Sequence, residues 1–278
     1  MGEISNVLRG VWGQFEEVAK FRAARRLWAR IMADRFGAKT DRARALRFHC
    51  QTAGMTLLAQ QPMVNVVRVA TQALAAVLGG CQSLHTNSFD EALGLPTEHA
   101  VSLALRTQQV IAHESGLGDF VDPLGGSYAV ETLTTRIEEA AEGYLAAIDE
   151  RGGMVSAIEQ GFVQREIQNA AYRYQLDIEN KRRIVVGQNK HVADAPPVPV
   201  TKIDPAVEES QTTSLLAWRN QRAEGPWGDT LSRLERVARG EDNLVPPIIA
   251  AVKAGATVGE ISNVLRGVWG QFEEVLTV

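Results

Sequence analysis

The stretch RALRFHCQTAG, Arg44–Gly54, decides the fold class that this sequence predicts. It is a short run that ends in polar residues and a turn signal, which is typical of a β-strand. A second such run, CQSLHTN at Cys81–Asn87, follows the helical stretch Met63–Gly80. The order strand, helix, strand predicts βα units on a parallel sheet, and therefore an α/β fold that is mostly helical by content.

The N-terminal part predicts a single long helix with no strand before it. Apolar residues recur there at spacings of three and four, so we expect a helix from about Ile4 to about Phe36, closed by Gly37. A further helix follows the second strand, with Thr97 as its N-cap and Gly116 as its C-terminal signal.

The stretch DPLGGSYAVETLT, Asp122–Thr134, mixes turn residues with a β-prone run. It lacks the glycine spacing and the lysine of a phosphate-binding loop, so it predicts a turn that leads into a third short strand. Helices are predicted after it, with one or two in Met154–Lys181.

The chain divides by composition into four predicted segments. An N-terminal helix covers residues 1–36, and the strand and helix units cover 37–185. Residues 186–205 include the proline-rich VADAPPVPVTKIDP and predict an extended linker. Residues 206–278 predict a C-terminal helical segment.

An identical stretch of 17 residues, GEISNVLRGVWGQFEEV, occurs at Gly2–Val18 and again at Gly259–Val275. Structural repeats usually diverge and recur at periods of about 20–50 residues, so this pair is not a repeat architecture. The second copy fits a late helix. The first copy is interpreted as a junction that joins this stretch to an earlier helix.

The composition excludes several classes of partner. The net charge is −4, without the basic excess typical of nucleic-acid binders. The apolar runs are too short to cross a bilayer, and we find no signal-peptide pattern. The two cysteines, Cys50 and Cys81, form neither a disulfide framework nor a zinc motif, so we expect a cytoplasmic protein.

Candidate site residues follow the two predicted strands, because ligands of parallel α/β folds bind at the carboxyl ends of the strands. Gln51 follows the first strand, and His85, Asn87 and Glu91 follow the second. A purely structural alternative remains open. In that alternative, Gln51 forms hydrogen bonds with the backbone of its loop, and Asn87 or Ser88 caps a helix. Asp90 and Glu91 then interact favourably with the dipole of that helix.

Two other kinds of site are disfavoured by spacing. His49 and His85 have no third residue spaced to complete a metal site, so no metal is expected. No Ser-His-Asp or Cys-His set can be identified, so catalytic residues stay unassigned.

Four stretches together resemble the methylmalonyl-CoA mutase family, the adenosylcobalamin-dependent acyl-CoA mutases. They are RALRFHCQTAG, NVVRVATQALAAVLGGCQSLHTNSFDEALGLPT, DPLGGSYAVETLT and GGMVSAIEQGFVQREIQ, in the order in which the family's large subunit carries them. The resemblance extends from about Ala19 to about Val275. It implies a partial TIM-type (β/α) barrel, made of about the last three βα units, the linker and the C-terminal helices.

The resemblance also implies a chemistry. In this family the acyl-CoA lies along the barrel axis, and an adenosyl radical starts a carbon-skeleton rearrangement such as methylmalonyl-CoA to succinyl-CoA. Gln51, Asn87 and Glu91 match family positions near the adenosyl ribose. His85 and the neighbouring His49 and Gln82 belong to the same motifs.

Parts of the family pattern have no counterpart in this sequence. They are the earlier strands, with the catalytic tyrosine, a histidine and an arginine, and the Asp-x-His-x-x-Gly motif that supplies the lower cobalt ligand. The implied partners are therefore an acyl-CoA substrate, a cobalamin-binding domain or small subunit, and a chain that supplies the rest of the barrel.

Three interpretations follow. The chain is part of a mutase and inactive alone, or a non-catalytic assembly partner in a split barrel, or a rearranged fragment without independent function. The third is suggested by the word FEEV, which ends the repeated stretch and leads into the helix FRAARRLW. Methylmalonyl-, ethylmalonyl-, isobutyryl- and 2-hydroxyisobutyryl-CoA all remain open as substrates.

Overall fold

The structure is a computed structural model that describes residues 13–194 and 196–272. It is mostly helical, as predicted, and divides into two compact units between Thr201 and Lys202. The strands are β1 His49–Gln51 and β2 Ser83–His85. The helices of the first unit are α1 Gln14–Asp34, α2 Asp41–Arg44, α3 Val64–Leu78, α4 Glu98–Glu114, α5 Tyr128–Glu150, α6 Met154–Glu159 and α7 Phe162–Glu179. The helices of the second unit are α8 Pro205–Gln221, α9 Glu224–Ala238, α10 Val245–Lys253 and α11 Val258–Trp269.

The two predicted strands, β1 and β2, are confirmed. They pair in parallel, with Cys50 opposite Leu84 and Gln51 opposite His85. Each has three residues, and α3 connects them, as a parallel pair requires.

Helix α1 packs on the first unit through a face of small and branched residues. Val18, Ala19 and Ala23 are buried against residues of α3 and α5. The predicted unbroken helix from Ile4 is wrong at Gly13, which has extended backbone torsions and stands as the N-cap of α1. Glycine is a poor helix former, so the helix begins after it. Residues 4–12 of that prediction lie outside the described residues.

The third predicted strand is also wrong, because Tyr128–Thr134 forms the start of α5. The residues buried along this helix are spaced at three and four, which is the helical period. They are Val130, Thr134, Ile137, Glu138 and Ala140. The described residues therefore hold two strands where the sequence predicted three, and they do not form a closed barrel.

An ion-pair cluster fixes the start of α5 against α1. Arg22 Nε donates to Asp122 Oδ1 at 2.9 Å, and Arg22 Nη2 donates to Glu131 Oε1 at 2.7 Å. Glu131 also accepts from the Gly126 amide, and the Arg22 guanidinium lowers the pKa of Glu131 to about 2. Asp122 and Gly126 belong to the turn that was predicted from the sequence to lead into a third strand.

Residues 192–194 and 196–204, in the proline-rich segment, form no helix and only an isolated bridge. Within the first unit, Thr201 forms an antiparallel bridge with Leu95, and its hydroxyl donates to the Pro96 carbonyl at 3.4 Å.

The second unit has its own core, around Leu234 of α9 and Ile261 of α11. Helix α11 carries the second copy of the repeated stretch and begins with a capping box, in which Thr257 and Glu260 bond each other's backbone amides. It ends at Gly270, which has a φ of 75°. In the part of the chain that the structure describes, no helix is both long and apolar enough to cross a bilayer.

Candidate functional site

The parallel pair presents one polar face and one half-buried face. Side chains alternate along a strand, so His49, Gln51, Ser83 and His85 share one face, and all four are exposed. His49 Nδ1 lies 2.7 Å from Ser83 Oγ, directly across the pair. Gln51 stands opposite His85 at the carboxyl end of the sheet, where the sequence placed the candidate site.

Gln51 and Asn87 are brought into direct contact. Gln51 Nε2 donates to Asn87 Oδ1 at 3.0 Å, and the Asn87 backbone amide donates to Thr52 Oγ1 at 2.9 Å. Asn87 is 2% exposed, whereas Gln51 is exposed. These two bonds fix the position of Asn87 and the orientation of its amide.

Gly54 allows Asn87 and Glu91 to approach the loop after β1. A Cβ atom on Gly54 would lie 2.7 Å from Asn87 Nδ2 and 3.4 Å from Glu91 Oε1. Asn87 and Glu91 therefore approach Gly54, while Gln51 contacts Asn87 and pairs with His85 across the sheet.

Asn87 Nδ2 is buried and has no hydrogen-bond partner among the described residues. A buried donor without an acceptor costs about 1–3 kcal/mol, so such atoms point to a missing acceptor. The amide cannot simply be reversed, because its Oδ1 already accepts from Gln51.

A polar stripe on α3 holds the loops that carry these residues. Asn65 accepts from the Leu58 amide at 3.1 Å and donates to the Phe89 carbonyl at 2.8 Å, so it joins the loops after β1 and β2. Gln72 accepts from the Ala53 amide at 2.7 Å. The sequence analysis missed both residues. Their signal is a pair of amides, seven positions apart, on a mostly apolar helix.

Neither Asn87 nor Ser88 caps a helix directly, contrary to the structural alternative. Turns follow β2, and α4 begins only at Glu98 with Thr97 as its N-cap, as predicted. Asp90 Oδ2 instead accepts from the amide and the hydroxyl of Thr97, at 2.9 and 3.0 Å. Asp90 thus braces the loop that carries Asn87 and Glu91.

Metal-ion and thiol chemistry have little support here. No group of three His, Cys, Asp or Glu side chains within residues 13–194 or 196–272 is arranged to hold a metal ion. Burial raises the pKa of the Cys50 and Cys81 thiols, so both stay protonated at neutral pH. The site offers amides, a carboxylate and imidazoles, which suit hydroxyl groups of a ligand.

Comparison with known proteins supports the resemblance. A family model described as methylmalonyl-CoA mutase matches residues 4–271. The chain is 48% identical over 263 residues to the 2-hydroxyisobutanoyl-CoA mutase large subunit of Aquincola tertiaricarbonis, covering 94% of this chain and 47% of that protein. It is 44% identical over 254 residues to the methylmalonyl-CoA mutase of Escherichia coli strain K12, covering 91% of this chain and 35% of that enzyme.

The chain therefore spans less than half the length of these curated relatives. The family model matches nearly all of the chain, a range that includes the two strands, α3 and the loops that carry Gln51, Asn87 and Glu91. The chain belongs to the methylmalonyl-CoA mutase family.

Proposed function

We propose that the chain is part of an adenosylcobalamin-dependent acyl-CoA mutase, to which it contributes side chains that face the adenosyl group. The observation that carries the proposal is the cluster of Gln51, Asn87 and Glu91 around Gly54, at the carboxyl end of two parallel strands. Family membership supplies the reaction class, an isomerisation of an acyl-CoA.

The donor set of this cluster fits a ribose. Each ribose hydroxyl both donates and accepts hydrogen bonds. Asn87 Nδ2 offers a donor that has no acceptor among the described residues, and the exposed Glu91 carboxylate offers an acceptor beside it. Gly54 lets Asn87 and Glu91 lie close to the loop after β1, because it carries no Cβ.

The role of these residues would be to position the ligand. Gln51 and Thr52 hold Asn87 before any ligand binds, so little ordering is needed on binding. His85 and His49 extend the same polar face along the sheet. When bound, adenosylcobalamin would supply the radical chemistry, while the chain supplies orientation and shielding.

The parallel pair would form two adjacent strands of a (β/α) barrel that other polypeptide completes. A sheet of two strands has an open edge on each side, and an open parallel edge seldom stands alone. The expected partners are an acyl-CoA, a cobalamin-binding domain or small subunit, and the remainder of a large subunit. The Aquincola relative is itself called a large subunit.

The adenosyl-facing role can be tested with 5′-deoxyadenosine as the probe. We expect its titration to shift the side-chain amide NMR signals of Gln51 and Asn87. Glu91→Gln should weaken binding at least about tenfold, since one hydrogen bond to a charged group contributes about 1.5–3 kcal/mol. The control Glu98→Gln changes an exposed carboxylate in the first turn of α4 and should have no effect. Equal effects of the two variants, or signal changes confined to the second unit, would contradict the proposal.

A turnover assay tests the expected dependence on partners. The purified chain, given methylmalonyl-CoA and adenosylcobalamin, should form no succinyl-CoA. Turnover by the chain alone would show that the catalytic groups are present and that the partial-barrel interpretation is wrong.

A further inference from the structure

A segment that follows α7 contacts both loops of the candidate site. It comprises the described residues of 185–201, all in the first unit, and is called here the strap. Gln61, in the loop after β1, donates from Nε2 to the strap carbonyls of His191 and Ala193, at 3.1 and 3.3 Å. At its other end, Thr201 of the strap bonds to the loop after β2. The loops that carry the candidate residues are therefore both held by one segment.

The first turn of the strap is fixed by the side chain of Asn189. Its Oδ1 accepts from the Val185 amide at 2.8 Å. Its Nδ2 donates to the carbonyls of Ile178 and Arg183, at 2.9 and 2.7 Å. Asn189 thus ties the turn to the end of α7, and these bonds set the position of the Val186 carbonyl within the turn.

Arg68 of α3 connects this turn to a second side chain of the same helix. Arg68 is 9% exposed, and its Nη2 donates to the Val186 carbonyl at 2.6 Å. Its Nη1 donates to Asn65 Oδ1 at 2.7 Å, one turn back along α3. A hydrogen bond with one ionised partner is about twice as strong as a neutral one. Lysine lacks the planar fork that lets one side chain bond two acceptors in fixed directions.

Asn65 carries the connection on to the candidate site. It is fully buried, and its Nδ2 donates to the Phe89 carbonyl at 2.8 Å. Phe89 lies midway between Asn87 and Glu91 in the loop after β2. The same side chain bonds to the amide and the carbonyl of Leu58 in the loop after β1. A continuous path of hydrogen bonds therefore runs from the strap, through two side chains of α3, to the backbone between the two candidate residues.

The charge of Arg68 is not explained by packing. Burial lowers the pKa of Arg68, because desolvation disfavours the charged form. Among the described residues, no carboxylate lies within ion-pair distance of its guanidinium. A methionine of similar length would avoid this desolvation cost but would break the path at both of its bonds.

We propose that Arg68 is a positioning residue, which transmits the position of the strap through Asn65 to the loop that carries Asn87 and Glu91. A change within the strap then alters ligand binding at the candidate site. This inference rests on the proposed function, since it concerns the site assigned there to the adenosyl group, and it names the segment that regulates that site.

A double-mutant cycle tests the connection, because only a measured coupling establishes such a path. Asn189→Ala loosens the turn of the strap, and Arg68→Met removes the guanidinium. Each should weaken binding of 5′-deoxyadenosine at least about fivefold. The double variant should bind no more weakly than Arg68→Met alone. Additive losses, or single variants that bind like the unchanged chain, would overturn the proposal.

Two further variants serve as controls, and circular dichroism checks that every variant folds. Asn180 is exposed and donates to the Leu176 carbonyl at the end of α7, so Asn180→Ala should leave binding unchanged. A loss equal to that of Asn189→Ala would assign the effect to α7 and not to the strap. Arg68→Lys keeps the charge but reaches one acceptor, so Asn189→Ala should have no further effect in that background either. Arg68→Lys replaces Arg68→Met in the cycle if the latter does not fold, and a persisting effect of Asn189→Ala would contradict the proposal.

A measurement without ligand separates this inference from the proposed function. Asn189→Ala should shift the NMR signal of the Asn87 side-chain amide in the unchanged background, and should not shift it in the Arg68→Met background. If that dependence on Arg68 is observed but 5′-deoxyadenosine does not bind, the proposed function fails and the connection to Asn87 stands. If 5′-deoxyadenosine binds but the signal shift is absent or does not depend on Arg68, this inference fails and the proposed function stands.

Discussion

Gly54→Ala tests whether the cluster around Asn87 is as closely packed as its geometry indicates. The added Cβ would lie 2.7 Å from Asn87 Nδ2, closer than a carbon and a nitrogen can approach without moving. Asn87 cannot swing aside freely, because Gln51 and Thr52 hold its side chain and its backbone. Relief therefore requires the loss of the Gln51 bond or a shift of the loop.

The expected loss of stability follows from these two ways of relieving the close contact. Overpacking by one methyl group costs about 1–3 kcal/mol, and loss of a neutral hydrogen bond costs about 0.5–1.5 kcal/mol. We expect Gly54→Ala to lower the free energy of unfolding by about 2 kcal/mol. The control is Gly143→Ala in α5, where a Cβ meets no atom within 4 Å. Alanine there should stabilise the helix by about 0.8–1 kcal/mol.

The assay is urea unfolding followed by circular dichroism, with both variants measured against the unchanged chain. The two substitutions should shift the urea concentration at the unfolding midpoint in opposite directions. The slope of the unfolding free energy against urea concentration should stay the same. Gly54→Ala should also remove the response of the Asn87 side-chain amide to 5′-deoxyadenosine. If Gly54→Ala is neutral or stabilising, the close approach of Asn87 does not exist and the reasoning about the ribose site fails.

Two predictions concern the second unit. Thr257→Ala removes the capping box of α11 and should cost about 0.5–2 kcal/mol, measured by thermal unfolding, whereas Thr257→Ser keeps the hydroxyl and should cost much less. The Arg222 guanidinium lowers the pKa of Glu260 to about 2 from an ordinary 4.5, so this pair stabilises the unit fully above about pH 4.5 and loses its contribution as the pH falls toward 2. Unfolding measured across that range should show this acid-dependent loss, and Glu260→Gln should reduce it. An unchanged loss in Glu260→Gln would assign the acid sensitivity to other groups.

Local patterns were sufficient to predict the strand pair and its helices. Gln51 and Asn87 follow strands of a parallel sheet, so their location at the same end of the sheet could be predicted from the order of elements. Thr97 was identified as an N-cap because a hydroxyl before a helical period has few other roles. Family resemblance added the expectation for Glu91, which composition and spacing left ambiguous.

Tertiary contacts decided the elements that were predicted wrongly. Tyr128–Thr134 contains β-prone residues, but Val130 and Thr134 are buried together with Ile137, one turn further on, against α1. The Arg22 ion pairs with Asp122 and Glu131 join positions about a hundred residues apart, which no local window contains. The support from Asn65 and Gln72 was missed for the same reason, since their partners lie in loops away from their own helix.

The third glycine of the repeated stretch shows how little a short sequence determines by itself. Gly13 and Gly270 occupy the same position in the two identical copies, followed in each by glutamine and phenylalanine. After Gly13 the chain enters a helix of 21 residues, whereas Gly270 ends a helix and Gln271 and Phe272 are not helical. The same residues therefore behave as a chameleon sequence: they precede the start of a helix in the first copy and follow the end of a helix in the second. What differs is the sequence on either side and the surfaces it packs against, so a peptide of this stretch studied alone would report on neither end of the chain.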